Sequence, residues 1–182
     1  MPLPCPAVRE LKRALRGSIP YLAGTYREHN GEHLTRLQWR KDGTLNRHDA
    51  GLALDIILFA SVPSERVLAE NLVTIFLDFH NEMRWLSIIY ENVAFSSRGI
   101  PGLYLQDRRH YTHIHIDWFS FNLYERAHRR SIPWPAEANT SGFSALLSGA
   151  LVELNAQWSR NALSSMDLMH IPRMEIGPIT AE

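Results

Sequence analysis

Apolar positions along the chain recur at two different periods. Val8, Leu11 and Leu15 fall on one face with charged residues between them, which predicts a short helix ending near Gly17 and Pro20. Tyr21 to Tyr26 reads as a strand. Arg27 to Asn46 reads as a loop with one short strand, because His29, Asn30, Gly31, Asp42 and Gly43 surround a half-polar run. Leu52 to Ala60 is rich in Leu and Ile and predicts a buried strand. A helix is expected over about Glu65 to Trp85, where Val67, Leu68, Leu72, Ile75, Phe76, Phe79 and Met83 recur at helical spacing and Ser61 or Ser64 supplies the cap.

Ser87 to Phe95 mixes β-branched and aromatic residues and predicts a strand, and Tyr111 to Phe119 alternates as another. Ser96 to Arg109 reads as the loop between them. After Ile132-Pro133-Trp134-Pro135 the composition shifts, and Phe143, Leu146, Leu147, Ala150, Leu151, Leu154 and Trp158 predict an amphipathic helix beginning near Thr140 or Ser141. The tail from Met169 reads as irregular. The expected class is α+β: a small antiparallel sheet flanked by helices, over residues 1–135, with a C-terminal helical extension over 136–182 packed on or appended to it.

With 182 residues, 45% of them hydrophobic, the chain is long enough for one globular domain with a substantial core. Its 19 Lys+Arg balance 19 Asp+Glu, which removes the cationic footprint of a nucleic-acid binder. Cys5 is the single cysteine, so no intrachain disulfide is expected. Met1-Pro2-Leu3-Pro4-Cys5-Pro6 lacks a basic segment followed by an apolar run, so the expectation is synthesis in the cytoplasm without a signal peptide. The longest apolar stretch, Leu52 to Val62, contains Asp55 and is too short to span a membrane. Nine histidines are the unusual count.

Three of the nine fall into two clusters. In a strand of period two, His113-Ile114-His115-Ile116-Asp117 places His113, His115 and Asp117 on one face and both isoleucines in the core. The second cluster, Arg47-His48-Asp49-Ala50-Gly51-Leu52-Ala53-Leu54-Asp55, runs from a loop into the buried strand and carries Asp55 into apolar surroundings. A buried carboxylate is costly unless it is paired or metal-bound. Two imidazoles and one carboxylate form the ligand set of a catalytic zinc site, in which a fourth position is left for water. Of the two histidines in His113-x-His115, one can bind metal while the other faces that water.

His48-x-x-Gly51-x-Ala53-x-Asp55 followed by His113-x-His115 resembles the zinc peptidases that group lysostaphin-type endopeptidases, D-alanyl-D-alanine carboxypeptidases and the hedgehog signalling domain. The resemblance covers about Tyr21 to Trp118. By position it implies that His48, Asp55 and His115 are the Zn2+ ligands and His113 the catalytic general acid/base. The carboxypeptidase branch has a Glu where this chain has Thr112, and the His-x-His pattern is more like the lysostaphin and penicillin-insensitive endopeptidase branches, so the branch stays open. Gly24-Thr25-Tyr26-Arg27 is similar to a Ser-Gly-Tyr-Arg element of these enzymes without its Ser-Gly order. The resemblance thus offers Arg27 as a group that binds a substrate carbonyl or carboxylate, with a surface arginine as the equal alternative.

What the resemblance implies is a zinc-dependent peptidase or amidase hydrolysing an amide bond in peptidoglycan stem or cross-bridge peptides. The alternative is a zinc-containing binding module of the same fold without turnover, as in the hedgehog domain. A cell-wall substrate requires action in the periplasm or at the wall after export or injection, as a phage lysis enzyme or as an antibacterial effector with a cognate immunity protein. The helix from Ser141 to Trp158 is then a candidate partner or substrate-cleft element. Elsewhere, strand parity turns His110 away from His113 if the strand extends so far, leaving it a solvated histidine or one that supports the site from a loop, Asp117 either orients His115 or is a strand-end charge, and Trp39 and Trp118 line a cleft or fill the core. His29, His33, His80, His128 and His170 read as surface residues, and Cys5 has no nucleophile context.

Overall fold

The structure is a computed structural model that describes residues 4–22, 26–27, 46–48, 50–97, 101–104, 108–119 and 140–167. Helix α1 (Pro6–Ser18) and a 3-10 turn (Pro20–Leu22) precede strands β1 (Tyr26–Arg27) and β2 (Ala53–Ile57). Helices α2 (Pro63–Asp78) and α3 (His80–Met83) lead to strands β3 (Ser87–Tyr90), β4 (Val93–Ser96) and β5 (Pro101–Tyr104). A second 3-10 turn (Arg108–Tyr111), strand β6 (His113–Asp117) and helix α4 (Phe143–Asp167) follow. The strands form one antiparallel sheet in the order β1-β2-β6-β3-β4-β5, which gives the expected α+β class.

Alternation on the central strands separates core from chemistry. Leu54 and Ile56 on β2, Ile114 and Ile116 on β6, and Ile88 on β3 are fully buried in one cluster with Val8, Leu11 and Leu15 of α1 and Leu68, Leu72 and Phe76 of α2. The opposite face of the same strands carries Asp55, His113, His115 and Asp117. The helices therefore back the sheet, and the polar residues stand on its other side. In α1 the buried stripe Ala7, Val8, Leu11, Ala14 and Leu15 recurs at helical spacing, and Pro6 occupies the first turn, where its missing N–H costs nothing.

Helix α4 joins this core through Phe143, Leu147, Leu151 and Leu154 and packs on α1 and α2. Its start is tied to α1 because Gly142 N–H donates to Glu10 Oε2 at 3.2 Å. Its middle is tied to α2 because Trp158 Nε1 donates to Ser64 O at 3.0 Å while the indole packs on Tyr21 with ring centroids 4.7 Å apart. Leu146 was expected on the buried stripe but is 60% exposed, since it lies about 100° around the helix from Leu147.

Other boundaries differ from the sequence expectation for identifiable reasons. Neither Ser61 nor Ser64 caps α2: Val62 precedes it, Pro63 opens it and Ser64 lies inside it. The helix ends at Asp78 rather than running to Trp85, because Trp85 Nε1 turns back to take the carbonyl of Phe76 at 2.7 Å. Ser87 to Phe95 is a hairpin rather than one strand, turning at Glu91 and Asn92, both at positive φ. Ser96 to Arg109 contains β5 and part of a 3-10 turn where a loop was expected. Among the described residues of the Tyr21 to Tyr26 segment, Tyr21 and Leu22 lie in a 3-10 turn and Tyr26 is in a strand. His80 is half-buried, with its ring edge-on to Trp85 at 4.5 Å. Trp39, His29, His33, His128, His170, the tail from Met169 and most of the loop from Arg27 to Asn46 lie outside the described residues.

Candidate metal centre

A tight turn delivers His48 to the sheet. Asn46 Oδ1 accepts the His48 N–H at 3.1 Å, Ala50 N–H donates to Asn46 O at 3.1 Å, and Leu52 N–H to Arg47 O at 2.9 Å. Gly51 closes the turn at φ 69, a left-handed conformation that a side chain resists, which accounts for the glycine of the motif. Gly51 O in turn accepts Cys5 N–H at 2.9 Å, anchoring the turn to the start of α1.

Strand pairing brings in the other two groups. Asp55 on β2 stands directly opposite His115 on β6, and β1 places Arg27 opposite Asp55 on the other side. His115 Nδ1 lies 2.9 Å from Asp55 Oδ1, His48 Nε2 lies 3.2 Å from the same oxygen, and the two ring nitrogens are 3.1 Å apart. The three atoms form a nearly equilateral triangle. His48, Asp55 and His115 are a group that could hold a metal ion. No match emerged when the chain was compared with protein-family models, curated proteins and solved structures. What can be said of the centre therefore rests on its own geometry.

That geometry is strongly polarised. Burial favours the neutral acid at Asp55, but the hydrogen bonds and charges of His115 and His48 outweigh it and hold the carboxyl well below the usual range. Burial likewise disfavours charge on His115, yet Asp117 and Asp55 outweigh it and push the imidazole up to about 9. Without a metal the pair thus behaves as a carboxylate and an imidazolium. A cation held at the triangle would displace the imidazolium proton.

Asp117 sits behind His115. It is 6% exposed, accepts Ser87 N–H at 3.1 Å and Ser87 Oγ–H at 2.8 Å on Oδ1, and meets Arg47 Nε at 3.1 Å on Oδ2. The same Oδ2 lies 3.6 Å from His115 Nε2. Arg47 also donates from Nη1 to Trp118 O at 2.8 Å. Ala53, paired across from Asp117, presents only a methyl group beside this carboxylate.

His113 stands on the same face with Nε2 3.7 Å from Asp55 Oδ1, and its Nδ1 is 3.1 Å from Thr112 Oγ1. His110 was expected to face away, but its ring centroid lies 5.1 Å from that of His113 and 5.9 Å from that of His115. The 3-10 turn rotates His110 out of strand parity and back towards the cluster, so a period-two reading missed it. Arg47 and Ser87 were also missed as parts of the centre; an arginine directly preceding a candidate ligand was the available signal. Trp118 is fully buried in the core, its Nε1 donating to Met83 O at 2.8 Å. Cys5 is buried, and desolvation pushes its thiol up to about 11, which makes it inert. Among the described residues no helix is long and apolar enough to cross a membrane.

Proposed function

We propose that the protein is a zinc-dependent peptidase or amidase, with His48, Asp55 and His115 as the metal ligands. The observation that carries this reading is the triangle of two imidazole nitrogens and one carboxylate oxygen with edges of 2.9, 3.1 and 3.2 Å. Ligand atoms about 2.0–2.1 Å from a tetrahedral zinc ion stand about 3.3 Å from one another, so the donor set fits with little movement. Zinc bound there supplies the Lewis acidity that polarises an amide carbonyl and makes a water nucleophilic at neutral pH.

The chain's own residues supply the rest. His113 faces the cluster from beyond Asp55, with Thr112 Oγ1 beside its Nδ1, so Nε2 is the atom placed to carry a proton to the leaving amine. Asp117 stands behind His115, and a carboxylate so placed orients a ligating imidazole through its second nitrogen. Arg27, opposite Asp55 in the register, is the candidate for binding a substrate carbonyl or carboxylate. Peptidoglycan stem or cross-bridge peptides as substrates, and action in the periplasm or at the cell wall after export or injection, follow from the motif resemblance. An immunity protein is the expected partner if the protein is an injected effector. The test is metal analysis coupled to mass spectrometry of digested peptidoglycan. One zinc per chain with new peptide ends in the wild type, and retained zinc without cleavage in His113→Ala, are expected; a metal-free protein that cleaves would overturn the reading.

A further inference from the structure

Overall neutrality conceals one strongly charged face. Helix α1 carries Arg9, Lys12, Arg13 and Arg16 against a single carboxylate, Glu10. The four cations stand three or four residues apart, and the buried stripe of Ala7, Val8, Leu11, Ala14 and Leu15 turns them away from the core. Arg9, Arg13 and Arg16 are exposed and Lys12 is half-buried. Glu10 is 8% exposed and divides its carboxylate between Arg13 Nη1 and the Gly142 N–H at the start of α4. Together with Pro4, the four cations line a hollow of about 450 Å³, and among the described residues no carboxylate shares its lining.

This charge pattern works against the helix that carries it. Cations three or four residues apart on a helix repel one another, and Arg9 and Arg16 each stand at that spacing from both Lys12 and Arg13. The first turn holds no acidic residue to offset the positive end of the helix dipole, and Arg9 stands close to that end. Of the four, only Arg16 lies in the last turn, where the dipole favours a cation. Packing of the apolar stripe on the sheet and on α4 holds α1 in place regardless. An unfavourable local charge pattern on an otherwise well-formed helix points to a ligand that relieves it.

Four cations round one hollow call for dense negative charge. A carboxylate brings one charge, whereas two adjoining phosphate groups bring about three, and each planar guanidinium takes two phosphate oxygens in parallel. Arg9 and Arg16 are about 10 Å apart along the helix axis, which leaves room for two such groups between them. The volume is that of a pocket for a small solute. We propose that the exposed face of α1 is an anion-binding site that takes a soluble ligand carrying adjoining phosphate groups. It lies behind the sheet, because α1 packs on the apolar face and Asp55, His113 and His115 stand on the other, so ligand and metal occupy separate sites. The site is independent of the peptidase reading.

The test titrates inorganic pyrophosphate, inorganic phosphate and hexaglutamate into the whole chain with zinc present at low salt, followed by amide NMR shifts. Pyrophosphate is expected to move the amides of Arg9, Lys12, Arg13 and Arg16 and to bind about tenfold more tightly than phosphate, the scale of one further charge-assisted hydrogen bond. Added salt should weaken it. Arg9→Gln/Arg16→Gln, which neutralises both ends of the face at exposed positions, should weaken pyrophosphate by at least about tenfold and leave zinc content unchanged. Absence of shifts along α1, shifts at His48 and His115 alone, or undiminished affinity in the double variant would overturn the site. Tighter binding of hexaglutamate, or binding to phosphatidylglycerol vesicles without binding of pyrophosphate, would overturn the ligand class.

Discussion

Arg47 and Asp117 join the two halves of the candidate metal centre, with Nε 3.1 Å from Oδ2. Arg47 directly precedes His48 in the turn, and Asp117 stands two residues beyond His115 on β6, so one ion pair sets the spacing between two candidate ligands. Arg47→Ala should therefore loosen the turn and leave Asp117 with Ser87 and His115. The expected cost is about 2 kcal/mol of stability, below the roughly 3–5 kcal/mol of a fully buried pair because Arg47 is partly exposed. Zinc affinity should fall by about 10- to 100-fold, the usual scale for losing a group that supports a ligand. Arg47→Lys, which keeps the charge but not both hydrogen bonds, should recover part of each. Urea denaturation and zinc competition measure the two effects, and unchanged affinity in Arg47→Ala would rule out this role.

Direct removal of a ligand should act more sharply. His115→Ala and Asp55→Asn are each expected to lose stoichiometric zinc while retaining the sheet, since both side chains lie on the face away from the core. In the wild type, zinc at about 100 times its dissociation constant should stabilise the fold by about 2.7 kcal/mol, or roughly 5–10 °C in Tm. Thermal melts with zinc and with chelator distinguish these proteins.

The metal-free protein should have a pH dependence set by the same cluster. The pKa of His115 is raised to about 9, so its contribution to stability is full below its ordinary value of 6.5 and is lost as pH rises from there through about 9. The pKa of Asp55 is lowered, so its contribution is full above its ordinary value of 3.8 and fades as pH falls below that. This cluster thus favours the metal-free fold most between about pH 4 and 6.5. Zinc competes with the proton on His115, so the zinc-induced rise in Tm should grow between pH 6 and 9, and binding at pH 7 should release a proton into a weakly buffered solution.

Gly51→Ala probes the turn without touching a ligand. At φ 69 an alanine costs about 1–2 kcal/mol, and the turn it strains is the one that carries His48. Lower stability and weaker zinc binding together are expected. Full zinc affinity in this variant would show that His48 reaches its position independently of the glycine.

Much of this organisation was legible in local patterning. Ile114 and Ile116 alternate with His113, His115 and Asp117, so the two-residue period separates core from chemistry on β6, whereas β2, expected to be buried throughout, shows the same alternation only in the structure, with Leu54 and Ile56 buried and Asp55 on the other face. The stripes of α1 and α4 were equally readable, because a helix that buries one face repeats it every three or four residues. Where these patterns misled, a turn or a returning side chain outside the two simple periods had intervened. Trp85 ended α2 by returning to Phe76, and a 3-10 turn brought His110 back to His113.

The sequence by itself determined which side chains of β6 share a face and that Asp55 would need a partner. These follow from periodicity and from the cost of a buried carboxylate. Only the tertiary structure decided that Asp55 pairs across from His115 and that Arg47 reaches Asp117. Strand order and register emerge when all the apolar faces compete for one core, and no local stretch of chain contains that competition.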